Sequence, residues 1–557
     1  MNGFNSIVRF FLILFYVFLL AISSWYINGK SFIGIDDANI YMVYMKNFSE
    51  GHGFVYNVGG ERVEGFTSLL WTLLGALIFR VFSSPEIMLL LLNLMITTAT
   101  FFFVINYLEK VNGGKAKIIN SYSLLFLAAI GSTPGFIDWT IVSLMETGLW
   151  TMLITVISIK ILSYDSTHRK RNHYIFINFL IFLLFICRPE AMLVAPFFIV
   201  LNGFQEFQIS KSFKPVLTGF FITIFVSAIV LTSLILWRYW YFGFPFPNTY
   251  YAKVSVDWVG NLKAGIKYLY SMVIEKPYIL GVWILSVFVV FRSALKNNLE
   301  AIKNLIPLLL ICSVFFLIPL YSGGDHFRFH RFVVPVFPLV ILLLIQCIKF
   351  YFGSINMRIL TGVSILIFFS CSYNLRDLYY HKNVPLRHEW DIAVAGRKGS
   401  EKLNKIFIDA KKYPTQGVLV AGGTAFSYHG FTIDLLGLNN SKMAHANKIK
   451  DENLTKNHAS FNIDVFFALN PDIFWHKGSR FVKSSEPIPS EIYVIPNLWI
   501  SKVFKNIQLD TRFKDRYGFY RITNSKSNDE ALEIFARKDF IYSLDKSIYS
   551  VSSIDYR

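Results

Sequence analysis

Cysteine is scarce in this sequence. Cys187, Cys312, Cys347 and Cys371 are its four, all in or beside apolar segments and without metal-ligand spacing. None lies in residues 375–557, which excludes a disulfide framework for that part of the chain. Charge is also thin, at 16% of residues, where soluble proteins carry about 25%. Acids are fewer than bases, 36 Asp and Glu against 54 Lys and Arg. Missing as well are a Walker-type loop, a Gly-x-Gly-x-x-Gly on a strand–helix turn and a Gly-x-Ser-x-Gly. A nucleotide-driven machine therefore lacks its usual parts.

The shortage of charge is regional. Apolar runs of about 20 residues, the length that spans a bilayer, recur from Arg9 to Tyr373 and then stop. Residues 375–557 hold 27 of the 54 bases and 20 of the 36 acids, a water-soluble composition long enough for a domain. Two parts follow: a membrane part, 1–374, and a soluble C-terminal α/β domain, 375–557. With +7 of the formal net charge of +18 in the tail, +11 remains in the membrane part. Cytoplasmic loops of membrane proteins gather such an excess by themselves, so no nucleic-acid partner is expected.

The runs lie near 8–28, 87–107, 119–137, 140–162, 174–187, 190–203, 216–240, 277–293, 304–320, 331–350 and 356–373, about eleven transmembrane helices. The first has no Ala-x-Ala signal behind it and reads as an uncleaved helix. Residues 67–82, with Trp71 and Arg80, are too short to span comfortably and read as an interfacial helix within a first outer loop, 29–86. The loop 163–173 carries Arg169, Lys170 and Arg171 and marks the cytoplasmic side. Counting from it puts Lys110, Lys115, Lys117, Lys211, Lys214, Lys296, Lys303 and Arg358 inside. The first loop, Asp138, segments 187–192, 237–254 and 321–338, and the C-terminal domain then face outward.

These outer segments are rich in Arg, His, Asp, Tyr, Gly and Pro, as a site assembled at one membrane face would be. Asp36 and Asp37 open the stretch "DDANIYMVYMKNF", an amphipathic helix beginning after Gly34. At a helix start both carboxylates could point at a ligand, one as general base and one as orienter; the plainer reading is an N-cap. Arg62, Arg188, Arg238, Lys253, Arg328 and Arg331 lie on the same face, suited to a phosphate or, singly, to lipid headgroups. "GFPFPNTYYAK" (243–253) offers Asn248 and Tyr250 to a sugar ring or to the interface belt. His326 and His330 have helical metal spacing, with Asp325 or His52 as further ligands, but Arg328 and Arg331 would repel a cation and Phe327 stands where a zincin has Glu. No cofactor is expected, a divalent cation being the weaker alternative.

The order of these motifs resembles GT-C-type glycosyltransferases. The likeness lies with the group of the mycobacterial terminal β-(1→2)-arabinofuranosyltransferase and related bacterial surface-glycan enzymes. It rests on the loop "GIDDANIYMVYMKNFSEGHGFVYNVGGERVEGFTS" (34–68), then "SLMETG" (143–148), "RPEA" (188–191), "GFPFPNTYYAK", "GGDHFRFHRFVVPVFP" (323–338) and "IDLLGLNN" (433–440). The pattern departs at Phe66, where Tyr is usual, and after Asp325, where Trp often follows; both touch substrate contacts more than the base. The resemblance implies transfer of a sugar from a polyprenyl-phosphate donor to a cell-envelope glycan or glycolipid, on the outer side of the bacterial cytoplasmic membrane. Asp36 and Asp37 match the catalytic acids, Asp36 deprotonating the acceptor and Asp37 positioning it, with inversion at the anomeric carbon. Residue type and topology add Arg188, Lys253, Arg328 and Arg331 for the donor phosphate. They also add Tyr41, His52, Arg62, Glu64, Glu146, Asn248, Tyr250, Asp325 and His326 as substrate contacts. A lipid-linked glycan transporter or flippase would place its charges within the spans. A non-catalytic scaffold of an envelope-glycan complex would not need the Asp pair. In the tail, 417–438 reads as strand, Gly-rich turn and strand, with Asp434 as a strand-end turn acid or, as the alternative, a contact to the acceptor glycan, and 461–476 leads into a further strand.

Overall fold

The computed structural model of the chain describes residues 3–111, 118–164, 170–210, 213–352, 359–366, 386–450, 454, 458–494, 499–526 and 529–556. Helices occupy the membrane part because its segments are apolar on all sides, and a bilayer leaves backbone N–H and C=O groups no partner but each other. Among the described residues, six are long and apolar enough to cross a membrane: Phe4–Ile27, Pro85–Val111, Val216–Phe242, Pro277–Leu295, Leu299–Ser322 and Val334–Tyr351. Ser121–Gly131, Thr147–Leu162 and Asn172–Cys187 are shorter apolar helices, and Ala191–Ser210 is a further helix. Ten of the eleven expected runs thus fall on helices. Of the last, 356–373, only the helical 359–366 is described. Lys115, Lys117, Arg169, Lys211, Arg358, Cys371, the side chains of Lys170, Arg171 and Lys214, and the boundary at 374/375 lie outside the described residues.

Two elements of the first loop prepare the site. Helix α1, Gly3–Ile27, is followed by a sharp turn at Gly34, whose φ is +71° and whose Cβ would meet the Ser143 carbonyl oxygen at 2.8 Å. Helix α2, Asp36–Ser49, then packs against α3, Leu69–Val81. Their contact is close because Gly75 leaves room for Met45; a Cβ there would lie 2.2 Å from the Met45 sulfur. Ser68 caps α3 by accepting the Trp71 N–H at 3.2 Å. With 13 residues, α3 is about 20 Å long, short of the roughly 30 Å hydrocarbon core. Its buried face holds Trp71, Thr72, Gly75 and Ala76, while Leu73, Leu77 and Val81 stay exposed. That stripe, spaced by four, suits a helix lying in the membrane interface.

One amphipathic helix had no signal in the hydropathy runs. Trp258–Glu275 is helical, with Asn261, Gly265, Tyr268 and Met272 buried and Leu262, Ile266, Tyr270 and Ile274 exposed. Lys263 and Lys267 interrupt its hydropathy without disturbing either stripe.

The C-terminal part carries a mixed eight-stranded sheet, ordered β2-β1-β3-β7-β6-β8-β5, with β4 also on β7. Strands β1 (Gln416–Val418), β2 (Thr432–Asp434) and β3 (Ile473–Phe474) run parallel. Strand β4 is Arg480–Lys483 and β5 Glu491–Ile492. The long strands β6 (Tyr517–Asn524), β7 (Glu530–Arg537) and β8 (Tyr549–Tyr556) are antiparallel. Alternate residues serve opposite faces: Phe519 and Phe535 join one apolar cluster, Ile522, Ile534 and Ala536 the other. The chain is thus a multi-pass α-helical membrane protein with a C-terminal sheet domain. The Gly-rich turn expected after β1 is instead a short helix, Gly422–Ser427, which reaches back to the membrane part.

Candidate active site

The acidic pair sits in the first turn of α2, but neither carboxylate caps the helix, since the N-cap position is Ile35. Successive helical residues point about 100° apart, and the pair diverges accordingly. The Asp36 carboxylate is buried, at 9% exposure, and accepts the backbone N–H of Gly422 at 3.0 Å and of Gly423 at 2.8 Å. The Asp37 side chain is 22% exposed and lines a cavity of about 410 Å³. So the two acids do not share one ligand.

Arg331 reaches Asp37 from the segment that follows Gly324. It donates from Nε to Asp325 at 3.0 Å and from Nη1 to Asp37 at 3.2 Å. Its guanidinium also lies 4.3 Å from the centre of the Phe327 ring. Lys253 comes from a six-residue helix, Asn248–Lys253, and lines the same cavity; among the described residues it forms no ion pair. Arg188 lines it too, but donates to Glu190 at 3.0 and 2.7 Å and to Glu146. Arg331 is likewise held by two carboxylates, one of them Asp37, so what sets Lys253 and Arg331 apart as candidate phosphate ligands is their place beside Asp37. Tyr41, Glu146, Tyr250 and Asp325 are further lining residues, and Met192, Leu193, Phe246, Ile318 and Phe332 supply an apolar wall.

The field in the cavity separates the two acids. Burial pushes the Asp36 carboxyl up to about 6, against the two glycine N–H bonds that favour its charged form. Burial also acts on Asp37, but Lys253, Arg331 and His326 outweigh it and hold that carboxyl below its ordinary value. Asp37 is therefore ionised at neutral pH. Lys253 is lowered by burial, with Asp37 and Asp325 opposing.

Several expected site residues lie elsewhere. The Arg328 side chain is exposed and does not line the cavity, while its carbonyl accepts the Trp139 indole N–H at 3.1 Å. His52 is exposed beside Glu50, and Arg62 lies over the Tyr241 ring. Glu64 is held by Arg238, with three bonds of 2.9 to 3.1 Å. Asn248 donates from its amide nitrogen to the Gly437 and Leu438 carbonyls at 2.7 and 2.9 Å, which anchors its side chain to the C-terminal domain. The exposed His326 lies between Phe327 and His458, whereas His330 is buried and bonded to Ser271 at 2.9 Å. Phe329 and His330 have φ of +64° and +58°, so the segment is not helical and its His-x-x-x-His spacing brings no common face. Among the described residues no three His, Cys, Asp or Glu side chains are grouped to hold a metal ion. Asp434 is a turn acid, its oxygens accepting N–H bonds from Leu436 and Asn439 at 2.9 Å. Two acids were missed. Glu190 was legible in "RPE" as a partner for Arg188. Glu389, on the helix Arg387–Ile406, has its carboxyl pushed to about 7 by burial and by Asp37 and Asp36; nothing in the sequence ties it to the first loop.

No family model and no curated protein matches the sequence. Solved structures do. A crystal structure of ArnT from Cupriavidus metallidurans bound to undecaprenyl phosphate aligns with a TM-score of 0.51 and 8% identity, covering 95% of this chain and 98% of that one. The apo oligosaccharyltransferase of Archaeoglobus fulgidus aligns at a TM-score of 0.47 and 10% identity, over 97% of this chain and 76% of that one. At such identity the first likeness speaks for architecture alone: this chain has a GT-C-type fold, membrane helices and C-terminal domain together.

Proposed function

We propose that the chain is a membrane glycosyltransferase that moves a sugar from a polyprenyl-phosphate donor to a cell-envelope glycan or glycolipid. One observation carries the reading: a single cavity holds an ionised carboxylate, Asp37, and two cations, Lys253 and Arg331, against an apolar wall. A lipid phosphate supplies the matching apolar chain and negative charge. The acceptor hydroxyl gives its proton to Asp37 as its oxygen attacks the anomeric carbon from the face opposite the phosphate. The C–O bond to the phosphate breaks, its electron pair leaves on the phosphate oxygen, and Lys253 and Arg331 hold that charge. Configuration inverts. The orientation follows the positive-inside count, with the cavity on the outer face of the bacterial cytoplasmic membrane.

The base is assigned to Asp37, since Asp36 spends both oxygens on Gly422 and Gly423. A pH profile separates them, because kcat/KM reports the free enzyme's base. With Asp37 as base, the acid limb of kcat/KM falls below about pH 4, the ordinary Asp value. With Asp36 as base, it would fall near 6.

The reaction class is tested in the source cell by deleting the gene and complementing with wild type or Asp37→Asn at matched expression. Mass spectra of surface glycans and glycolipids should lose one fixed sugar mass, restored by wild type alone. Full restoration by Asp37→Asn would overturn the reading and favour a transporter or scaffold.

A further inference from the structure

The C-terminal domain touches the first loop through a polar seam. Tyr56 donates to the Ala421 carbonyl at 2.5 Å, and Tyr44 to the Asn439 side chain at 3.1 Å. Asn57 and Thr432 exchange two bonds of 2.9 Å. Arg397 donates to Asn39 of α2 at 2.7 Å and to Glu86 at 2.8 Å. At the centre of this seam are the Asp36 carboxylate and the two glycine N–H groups. A buried carboxylate is costly unless its oxygens are satisfied, and here both partners come from the other domain. Neither glycine tolerates a side chain as the backbone stands: a Cβ on Gly422 would lie 1.9 Å from the Asp36 carbonyl oxygen, and one on Gly423 2.3 Å from the Ala393 carbonyl oxygen. The same domain supplies Leu438 to the cavity wall.

We propose that Gly422 and Gly423 are positioning residues of the transfer reaction, their paired N–H groups fixing Asp36 and with it the helical turn that presents Asp37 to the cavity. This rests on Asp37 as the base. The C-terminal domain is then part of the catalytic unit rather than an appended acceptor-binding module. A displacement of about 1 Å at a reacting group costs on the order of 100-fold in rate, whereas Arg331 keeps its bond to Asp325 at 3.0 Å and Lys253 stands on the short helix that Asn248 anchors to the Gly437 and Leu438 carbonyls.

The test uses the full chain, purified, as wild type, Gly422→Ala, Asp36→Asn and Gly399→Ala. The last is a control in the same domain, where a Cβ meets only Phe481 at 3.6 Å. Three quantities are read: amide hydrogen exchange over 36–49 and 421–427, affinity for undecaprenyl phosphate alone, and restoration of the glycan mass in the deletion strain. Gly422→Ala and Asp36→Asn should exchange at least 10-fold faster in both segments and transfer at least 10-fold less. Their lipid-phosphate affinity should stay within about threefold of wild type, and Gly399→Ala should match wild type throughout. If Gly422→Ala does not fold, Asp36→Asn carries the test, since an amide offers one acceptor oxygen to two N–H donors. Wild-type transfer by both variants overturns the positioning role, as does an equal loss of phosphate affinity and transfer. A wild type that transfers no sugar, with the exchange change intact, overturns the transferase reading and the catalytic role together but leaves the clamp standing.

Discussion

Asp37→Asn lowers transfer by about 10²–10⁴-fold, the usual weight of a general base. The substitution keeps volume and removes the proton acceptor. It also withdraws the negative partner of Arg331, which retains Asp325 at 3.0 Å and so keeps its place. Affinity for the lipid phosphate should then hold or rise, because the cavity loses one negative charge, while the chemical step fails. Asp36→Asn falls by a smaller factor and through geometry. The check is single-turnover transfer by both variants beside undecaprenyl phosphate binding. Equal activity of Asp37→Asn and wild type would remove the base from this site.

The membrane part was readable because lipid imposes one rule on every span, and apolar length records it. The acidic pair, "RPE" and the Lys253 motif stood out since charges at helix mouths are expensive to keep. What the sequence withheld was partnership. Residues 36 and 37 look alike on paper, and only the turn of α2 sends one to the cavity and the other to Gly422 and Gly423, nearly 400 residues away in the chain. Glu64 and Arg62 likewise read as ligands from loop composition, yet one pairs with Arg238 and the other lies over Tyr241. His326 and His330 were joined by a helical spacing that the left-handed residues Phe329 and His330 do not allow. Strands β6 to β8 had no breaker signals as strong as the glycines of the first loop, and their pairing is a tertiary fact.

Arg238→Met produces the largest expected loss of stability. Arg238 stands near the C-terminal end of the helix Phe213–Phe242 and meets Glu64 with side chains 6% and 1% exposed. Removing one member of such a pair leaves a buried charge uncompensated, at a cost of about 3–5 kcal/mol. Burial raises the Glu64 carboxyl to about 7 even with Arg238 beside it, above its ordinary value of about 4.3. A carboxyl raised on folding stabilises the protonated state, so stability is lost as pH rises through the folded value. Without Arg238 that value rises further, and the deficit of Arg238→Met should be wider at pH 8 than at pH 5. The double variant Glu64→Met/Arg238→Met, which buries no charge, should recover most of it. Membrane proteins often unfold irreversibly, so the comparison is of thermal midpoints in one detergent at one scan rate. The consequence reaches the cavity, because the Glu64 carbonyl accepts the Asn248 N–H at 2.9 Å and Asn248 begins the short helix that ends in Lys253. A variant with an unchanged midpoint at both pH values would mean that the pair is not buried in the folded protein.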